Sequence, residues 1–423
     1  MDYRISPAKT LTGRIAVPGA KSHTIRAVVA ALLADGVSEI HAPLLSEDTF
    51  SALHAAEALG AKSAVADGLW QITGTGGKFG TAPQKIDMGN SGTSLRIMTA
   101  LAALGSAPVT FDGDASLRTR IMAGELTALT ALGAHCVSRN GFAPLTVTGA
   151  LTGGTAQVDG TTSQYLSALL MALPLAQGNS VLDLEFLNEA DYVRITLDWL
   201  ARCGIVVKYT DDLLHFEIAG GQQYQPFSRV IPADFSTAAF PLGAGVIAGN
   251  TVEIANLDFD DLQGDKRVFD FVRQMGADLS CGGDTVKVKR STLHGGKFDL
   301  NATPDALPLM AVLGCYADGE THLLNVPQAR LKETDRIACM TSELQKMGAE
   351  ITELADGMII HGGRKLHGAV VASHADHRIA MSLTVAALGA DGETTVLDGG
   401  ACAVTYPDFV TDFRHLGVDI TTM

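Results

Sequence analysis

Six short polar stretches each stand immediately before a long apolar run: KSHTIR (21–26), NSGTSLR (90–96), TTSQ (161–164), ADFST (233–237), TPDA (303–306) and ADHR (375–378). If the runs are helices, these stretches are helix starts, which present unpaired N–H groups and roughly half a positive charge and so suit an anion. Ser, Thr, Asp and Asn are also ordinary N-caps, and Thr303 before Pro304 has the form of a cap by itself. Caps do not account for Lys21, Arg26, Arg96 and Arg378, cations placed where a helix dipole disfavours them. Cations set against the dipole imply a shared anion. Six such starts facing one cleft would let the chain bind a multiply charged phosphate. DASLRTRIM (114–122) and RLKETDRIA (330–338) are expected to add amphipathic helices. In the second, Lys332 and Arg336, four apart, would share a face beside Glu333 and Asp335, which is equally the pattern of a solvated, ion-paired helix.

The elements that must hold these residues repeat. LGAKSAVADG, LGAHCVSRNG, CGIVVKYTDD, MGADLSCGGD, MGAEITELADG and LGVDITTM each place a glycine between a helix-like stretch and alternating strand residues. The glycines, 60, 133, 204, 276, 348 and 417, are spaced by 73, 71, 72, 72 and 69 residues. Each is expected to cap a helix in the left-handed conformation. A second register, Gly36, Gly105, Gly178, Gly249, Gly319 and Gly392, closes runs such as RAVVAALLADG and YLSALLMALPLAQG, apolar nearly all round and so buried on most faces. Each unit thus predicts a buried helix, a strand such as TVEIAN or ETTVLDG, an amphipathic helix and a hairpin-like strand pair. Six units could make one solenoid or two globular halves; a length of 423 residues favours halves, with FSRVIPADF (227–235) as the crossing.

Composition narrows the class. Hydrophobic residues make up 47% against 18% charged, too apolar for disorder, and no run reaches the ~18 apolar residues of a membrane span. A net charge of −15 argues against nucleic acid, whose phosphates favour a basic face. Cys136, Cys203, Cys281, Cys315, Cys339 and Cys402 are scattered without C-x-x-C, predicting reduced and mostly buried thiols and neither a zinc site nor a redox pair. The start, MDYRISPAKTL, lacks the order of a secretion signal, so a cytoplasmic location is expected. No G-x-x-x-x-G-K-[ST], no G-x-G-x-x-G after a strand and no H-E-x-x-H occurs, which demotes nucleotide hydrolysis, dinucleotide redox chemistry and zinc proteolysis.

PGAKSHTIR resembles the P-G-S-K-S-x-S-N-R signature, GNSGTSLR the G-N-A-G-T-x-x-R signature, and RLKETDRI and DHRIAM the R-x-K-E-S/T-D-R and D-H-R-x-A-M signatures of the 5-enolpyruvylshikimate-3-phosphate synthase family. The resemblance runs from residue 13 to residue 413 in the family's order. It implies two similar α/β domains, each of three βαβαββ repeats with buried helices and outer sheets, an inside-out α/β barrel. Their expected extents are 15–230, and 1–14 with 231–423, with the active site in the cleft between them. The implied reaction moves the enolpyruvyl group of phosphoenolpyruvate to the 5-hydroxyl of shikimate 3-phosphate, with no cofactor or metal, in a monomer. Carried across by position, Lys21, Asn90, Gly92, Arg120, Arg336 and Arg378 would hold phosphoenolpyruvate. Ser22, Arg26, Thr162, Ser163, Gln164, Asp305, Gln328 and Lys332 would hold shikimate 3-phosphate. Asp305 would be the base at the 5-hydroxyl and Glu333 the acid at the methylene, with Lys21 and His377 assisting proton transfer and phosphate departure.

The chain departs from the pattern in places. His23, Thr24 and Ile25 precede Arg26 where S-N-R is usual, and Gln328 stands where Asn is common. Val404 replaces a lysine that contacts phosphoenolpyruvate in many members, and Ile97 and Ile121 occupy frequent proline positions. Two rivals remain. UDP-N-acetylglucosamine enolpyruvyl transferase typically has a reactive cysteine on the loop equivalent to 114–124, which here has none. A silent phosphate-binding protein on the same scaffold would need the cations but not Asp305 and Glu333.

Overall fold

The computed structural model describes residues 1–80 and 82–423. The chain forms two compact units, Gly19–Ile231, and Met1–Pro18 with Pro232–Met423. Each has its own hydrophobic core.

In the Gly19–Ile231 unit the helices are α1 (Lys21–Leu33), α2 (Glu47–Ala58), α3 (Gly92–Ala102), α4 (Ala123–Ala131), α5 (Ser163–Ala172) and α6 (Ala190–Arg202). The other unit has α7 (Phe235–Ala248), α8 (Arg267–Gln274), α9 (Leu307–Cys315), α10 (Arg336–Lys346), α11 (His377–Ala387) and α12 (Phe409–His415). The sequence divides them into two kinds. Every residue of α7, α9 and α11 is buried, as an all-round apolar sequence requires. By contrast α6 buries Val193, Ile195, Thr196, Leu197, Trp199 and Leu200 and leaves its other side wet. The expected order of buried helix, strand, amphipathic helix and strand pair is the order found.

Each unit has three four-stranded sheets of one topology. In the plainest copy, Gln84–Asp87 runs parallel to Val109–Asp112, with α3 as the crossover, and Phe142–Thr148 and His135–Arg139 add an antiparallel pair. The same pattern joins Leu11–Ala16 to Gly249–Ala255, then Thr285–Val288 and Leu279–Gly282. A strand distant in sequence completes one sheet of the Gly19–Ile231 unit and two of the other, Leu11–Ala16 being the first of these. Ser228–Val230 lies parallel to Val37–His41, and Tyr3–Ile5 sits between Thr394–Leu397 and Ile420–Thr422. The last repeat, LGVDITTM, therefore supplies a single strand, and the chain's first strand completes its hairpin.

All six glycines of the 72-residue register take positive φ, from +80° at Gly204 to +111° at Gly60. Space also matters at Gly133, where a Cβ would lie 2.5 Å from Thr152 Oγ1. The second register is mixed: Gly36, Gly319 and Gly392 have positive φ, but Gly249 closes α7 at −73°. The cysteines are free thiols; Cys203, Cys315 and Cys402 are buried and Cys281 is exposed. Among the described residues no helix is long and apolar enough to cross a membrane.

One expected helix does not form and a second starts later than expected. Residues 114–122 make only a tight turn, Leu117–Thr119, before α4 starts at Ala123. In 330–338 a turn at Pro327–Leu331 is followed by Lys332 at φ −85°, ψ −147°, outside helical space. The helix α10 starts at Arg336 because Asp335 caps it, accepting from the Ala338 N–H at 3.0 Å. Lys332 and Arg336 therefore do not share a helix face. Arg330 reinforces the turn by donating to Asp335 (2.6 Å) and Glu353 (2.8 Å).

Candidate active site

In the Gly19–Ile231 unit, α1 opens on Lys21 itself, and the ammonium pairs with Asp48 of α2 at 3.1 Å. The Asp48 carbonyl accepts from Ser94 Oγ of α3 at 3.3 Å, so one buried residue links the first turns of three helices. The sequence marks Asp48 only as an acidic first-turn residue, and nothing local sets it opposite Lys21. Asn90 precedes α3 and accepts from Arg120 Nη2 at 2.6 Å while donating to Asp114 at 2.7 Å. Gly92 is the first residue of α3. A Cβ there would stand 2.6 Å from Arg120 Nη1 and 3.0 Å from Arg96 Nη1, so the glycine lets two guanidinium groups approach one helix start.

Arg96 also donates to Gln164 Oε1 at 2.7 Å, joining this corner to the start of α5. There Thr162 is the cap, accepting from the Gln164 N–H at 3.3 Å, and Ser163 donates to Glu189 at 2.8 Å. Glu189 was not anticipated; it is buried at φ +58° just before α6. Arg26 is buried too. It donates to Thr196 Oγ1 (2.9 Å), the Tyr192 carbonyl (3.1 Å), the Ser22 carbonyl (3.0 Å) and Ser167 Oγ (3.4 Å). Burial pulls its guanidinium down to about 10, so it keeps its charge at neutral pH.

In the other unit Arg336 is the centre. It is 1% exposed and donates to three carboxylates: Nε to Asp376 at 2.8 Å, Nη1 to Asp305 at 2.7 Å and Nη2 to Glu333 at 2.5 Å. Burial alone would lower the guanidinium, but Asp376, Glu333 and Asp305 together hold it above its ordinary value. Arg378 meets the same Asp305 at 2.8 Å. Asp376 caps α11 through the Arg378 N–H (2.8 Å) and accepts from Thr334 (3.2 Å). Its position in ADHR looked like a plain cap; its grip on Arg336 depends on how α10 and α11 pack. His377 is buried at the start of α11, and Lys332 and Glu333 are partly exposed on the segment leading into α10. Gln328, 2% exposed, donates to the Asn301 carbonyl at 2.9 Å. Val404 ends a short turn at Gly399–Val404.

Among the described residues no three His, Cys, Asp or Glu side chains converge to hold a metal ion. The geometry offers instead paired guanidinium groups at helix starts in one unit, and in the other a carboxylate pair sharing an arginine. Repeated βαβαββ units carrying such starts define an α/β protein that gathers cations at helix starts.

The profile described as EPSP synthase (3-phosphoshikimate 1-carboxyvinyltransferase) matches residues 5–413. The chain belongs to this family. It is 46% identical over 414 residues to a 3-phosphoshikimate 1-carboxyvinyltransferase of Acetivibrio thermocellus, covering 97% of each chain. To that of Methanothermobacter thermautotrophicus it is 39% identical, covering 99% of each. The EPSP synthase structure from Acinetobacter baumannii superposes with a TM-score of 0.82 at 27% identity over the whole of both chains. The enolpyruvyl transferase NikO from Streptomyces tendae shares the fold, with a TM-score of 0.79 at 20% identity over 99% of this chain and 98% of that one.

Proposed function

We propose that, in transferring the enolpyruvyl group of phosphoenolpyruvate to the 5-hydroxyl of shikimate 3-phosphate, this chain uses Glu333 and Asp305 as its acid and base. The observation that supports this most is that both carboxylates lie on the one buried guanidinium of Arg336. Protonating the methylene of phosphoenolpyruvate leaves a cationic carbon for the hydroxyl to attack, so a donor and an acceptor are needed close together. Glu333 gives the methylene its proton, and Asp305 takes the hydroxyl proton. The attack yields a tetrahedral adduct, from which loss of a proton and of phosphate gives 5-enolpyruvylshikimate 3-phosphate. Lys21 and His377 assist those departures.

In this reading Arg336 and Arg378 exchange carboxylate contacts for the anionic groups of phosphoenolpyruvate, which Lys21, Arg120, Asn90 and Gly92 also hold. Shikimate 3-phosphate takes Ser22, Arg26, Thr162, Ser163, Gln164, Gln328 and Lys332 together with Asp305. Each set draws residues from both units, and we propose that closure of domains 15–230 and 1–14 with 231–423 on the substrates unites the halves of each. Expulsion of water would then strengthen each cation–phosphate contact. A monomer, on the strength of the family resemblance, and a cytoplasmic location complete the proposal.

Phosphate release tests it. Release is expected only when phosphoenolpyruvate and shikimate 3-phosphate are both present. Release with UDP-N-acetylglucosamine in place of shikimate 3-phosphate, or none with either acceptor, would replace this reading by one of the rivals.

A further inference from the structure

The stretch from Ala372 to Asp376 leads into α11 and delivers Asp376, the carboxylate that holds Arg336 and the first N–H groups of that helix. Its path is one its residues resist. His374 and Ala375 lie at φ +55° and +58°, two consecutive non-glycine residues in the left-handed region, which L side chains disfavour. Neighbouring contacts must therefore hold it.

On one side Ser373 donates to the Asp398 carbonyl at 2.9 Å and accepts from the Ala375 N–H at 3.2 Å. On the other stands Glu343 of α10, its side chain 1% exposed. Its Oε2 accepts from the Ala372 N–H at 2.9 Å, its Oε1 from His374 Nε2 at 2.8 Å, and Lys346 Nζ reaches both oxygens at 2.7 and 2.8 Å. Burial would raise this carboxyl, but Lys346, the Ala372 N–H and His374 hold it below the ordinary range. Glu343 lies seven residues after Arg336, two turns along the same helix. One helix thus carries the guanidinium at its start and, further along, the carboxylate that fastens the stretch bearing that guanidinium's partner.

We propose that Glu343, with His374, is a positioning residue for phosphoenolpyruvate: it fixes the Ala372–Asp376 stretch on α10 so that Asp376 presents Arg336 and Arg378 in binding geometry. The proposal rests on the assignment of Arg336 and Arg378 to phosphoenolpyruvate. Glu343 acts through Asp376 and needs no contact with either substrate. His374 is 38% exposed in its side chain, so it can be replaced without opening the core.

The experiment compares Glu343→Gln, His374→Ala and His374→Gln by phosphate release with each substrate varied, alongside thermal unfolding and Arg336→Ala as a control. Glu343→Gln and His374→Ala are expected to raise KM for phosphoenolpyruvate about tenfold, the scale of one charged hydrogen bond, with KM for shikimate 3-phosphate within about twofold. His374→Gln, whose amide can still donate to Glu343, should recover most of the loss. A parallel rise in both KM values, a His374→Gln variant no better than His374→Ala, or activity that merely follows the folded fraction would overturn the proposal. If Glu343→Gln does not fold, the two His374 variants decide. An unchanged KM in Arg336→Ala would instead remove the assignment of Arg336, and this proposal with it. A raised KM there, without one in the other variants, would remove the positioning role alone.

Discussion

Arg336 shows how much one side chain can organise. Burying a guanidinium is costly unless its donors and charge are compensated, and here three carboxylates from separate segments do this. Two of them, Asp305 and Glu333, are the proposed base and acid, so under that proposal charge compensation and catalysis use the same groups. Neutral variants separate the two uses, because an amide oxygen still accepts from Arg336 but cannot exchange a proton at the reacting atoms. Glu333→Gln and Asp305→Asn are expected to lower kcat by about 100-fold or more, the range of general acid–base catalysis. The affinity for shikimate 3-phosphate, measured by calorimetric titration, should fall far less. A variant that kept kcat within a few-fold would lose its assigned role.

At the scale of elements, the proposed anion seats are helix starts, and at α3 a glycine sets the distance at which the arginines approach. Gly92→Ala places a methyl group against Arg120 and Arg96. It should raise KM for phosphoenolpyruvate while leaving the unfolding temperature nearly unchanged, since alanine suits a first helical turn better than glycine. An unaltered KM would mean that the two guanidinium groups can shift away freely. The capping glycines make a different prediction. Gly60 and Gly133 share positive φ, but a Cβ at Gly60 meets only Thr75 Cγ2 at 3.4 Å, whereas one at Gly133 meets Thr152 Oγ1 at 2.5 Å and the Ala150 carbonyl at 3.0 Å. Denaturant unfolding should therefore show Gly60→Ala losing about 1–2 kcal/mol from conformation alone, and Gly133→Ala losing more. Equal losses would show that Thr152 moves aside at no energetic cost.

For the whole molecule, the six-fold repeat lets two cores of ordinary size serve a long chain, and one core encloses a carboxyl group. Glu125 of α4 is fully buried, and neither oxygen has a hydrogen-bond partner among the described residues. Burial raises its carboxyl well above the ordinary range, and Arg96 nearby only partly offsets this. The folded state therefore holds the Glu125 proton more tightly than the unfolded state, so its contribution to stability declines as pH rises above the ordinary carboxyl range. Glu125→Gln should gain on the native protein as pH rises, and urea unfolding at about pH 5 and about pH 8 checks it. A difference independent of pH would mean that Glu125 is already ionised in the folded state at the lower pH. By itself the sequence determined the repeat, the buried helices, the turn glycines and the polar character of each helix start, because these follow from periodicity and local backbone preference. The family signatures led to Lys21, Arg120, Asp305, Glu333, Arg336 and Arg378. It misjudged 114–122 and 330–338, where the Asp335 cap delays the helix that charge spacing suggested. Only the tertiary structure decided that Asp48 meets Lys21, that Glu189 holds Ser163 and that Asp376 grips Arg336. Each of those contacts joins elements whose approach is set by core packing, which no local pattern encodes.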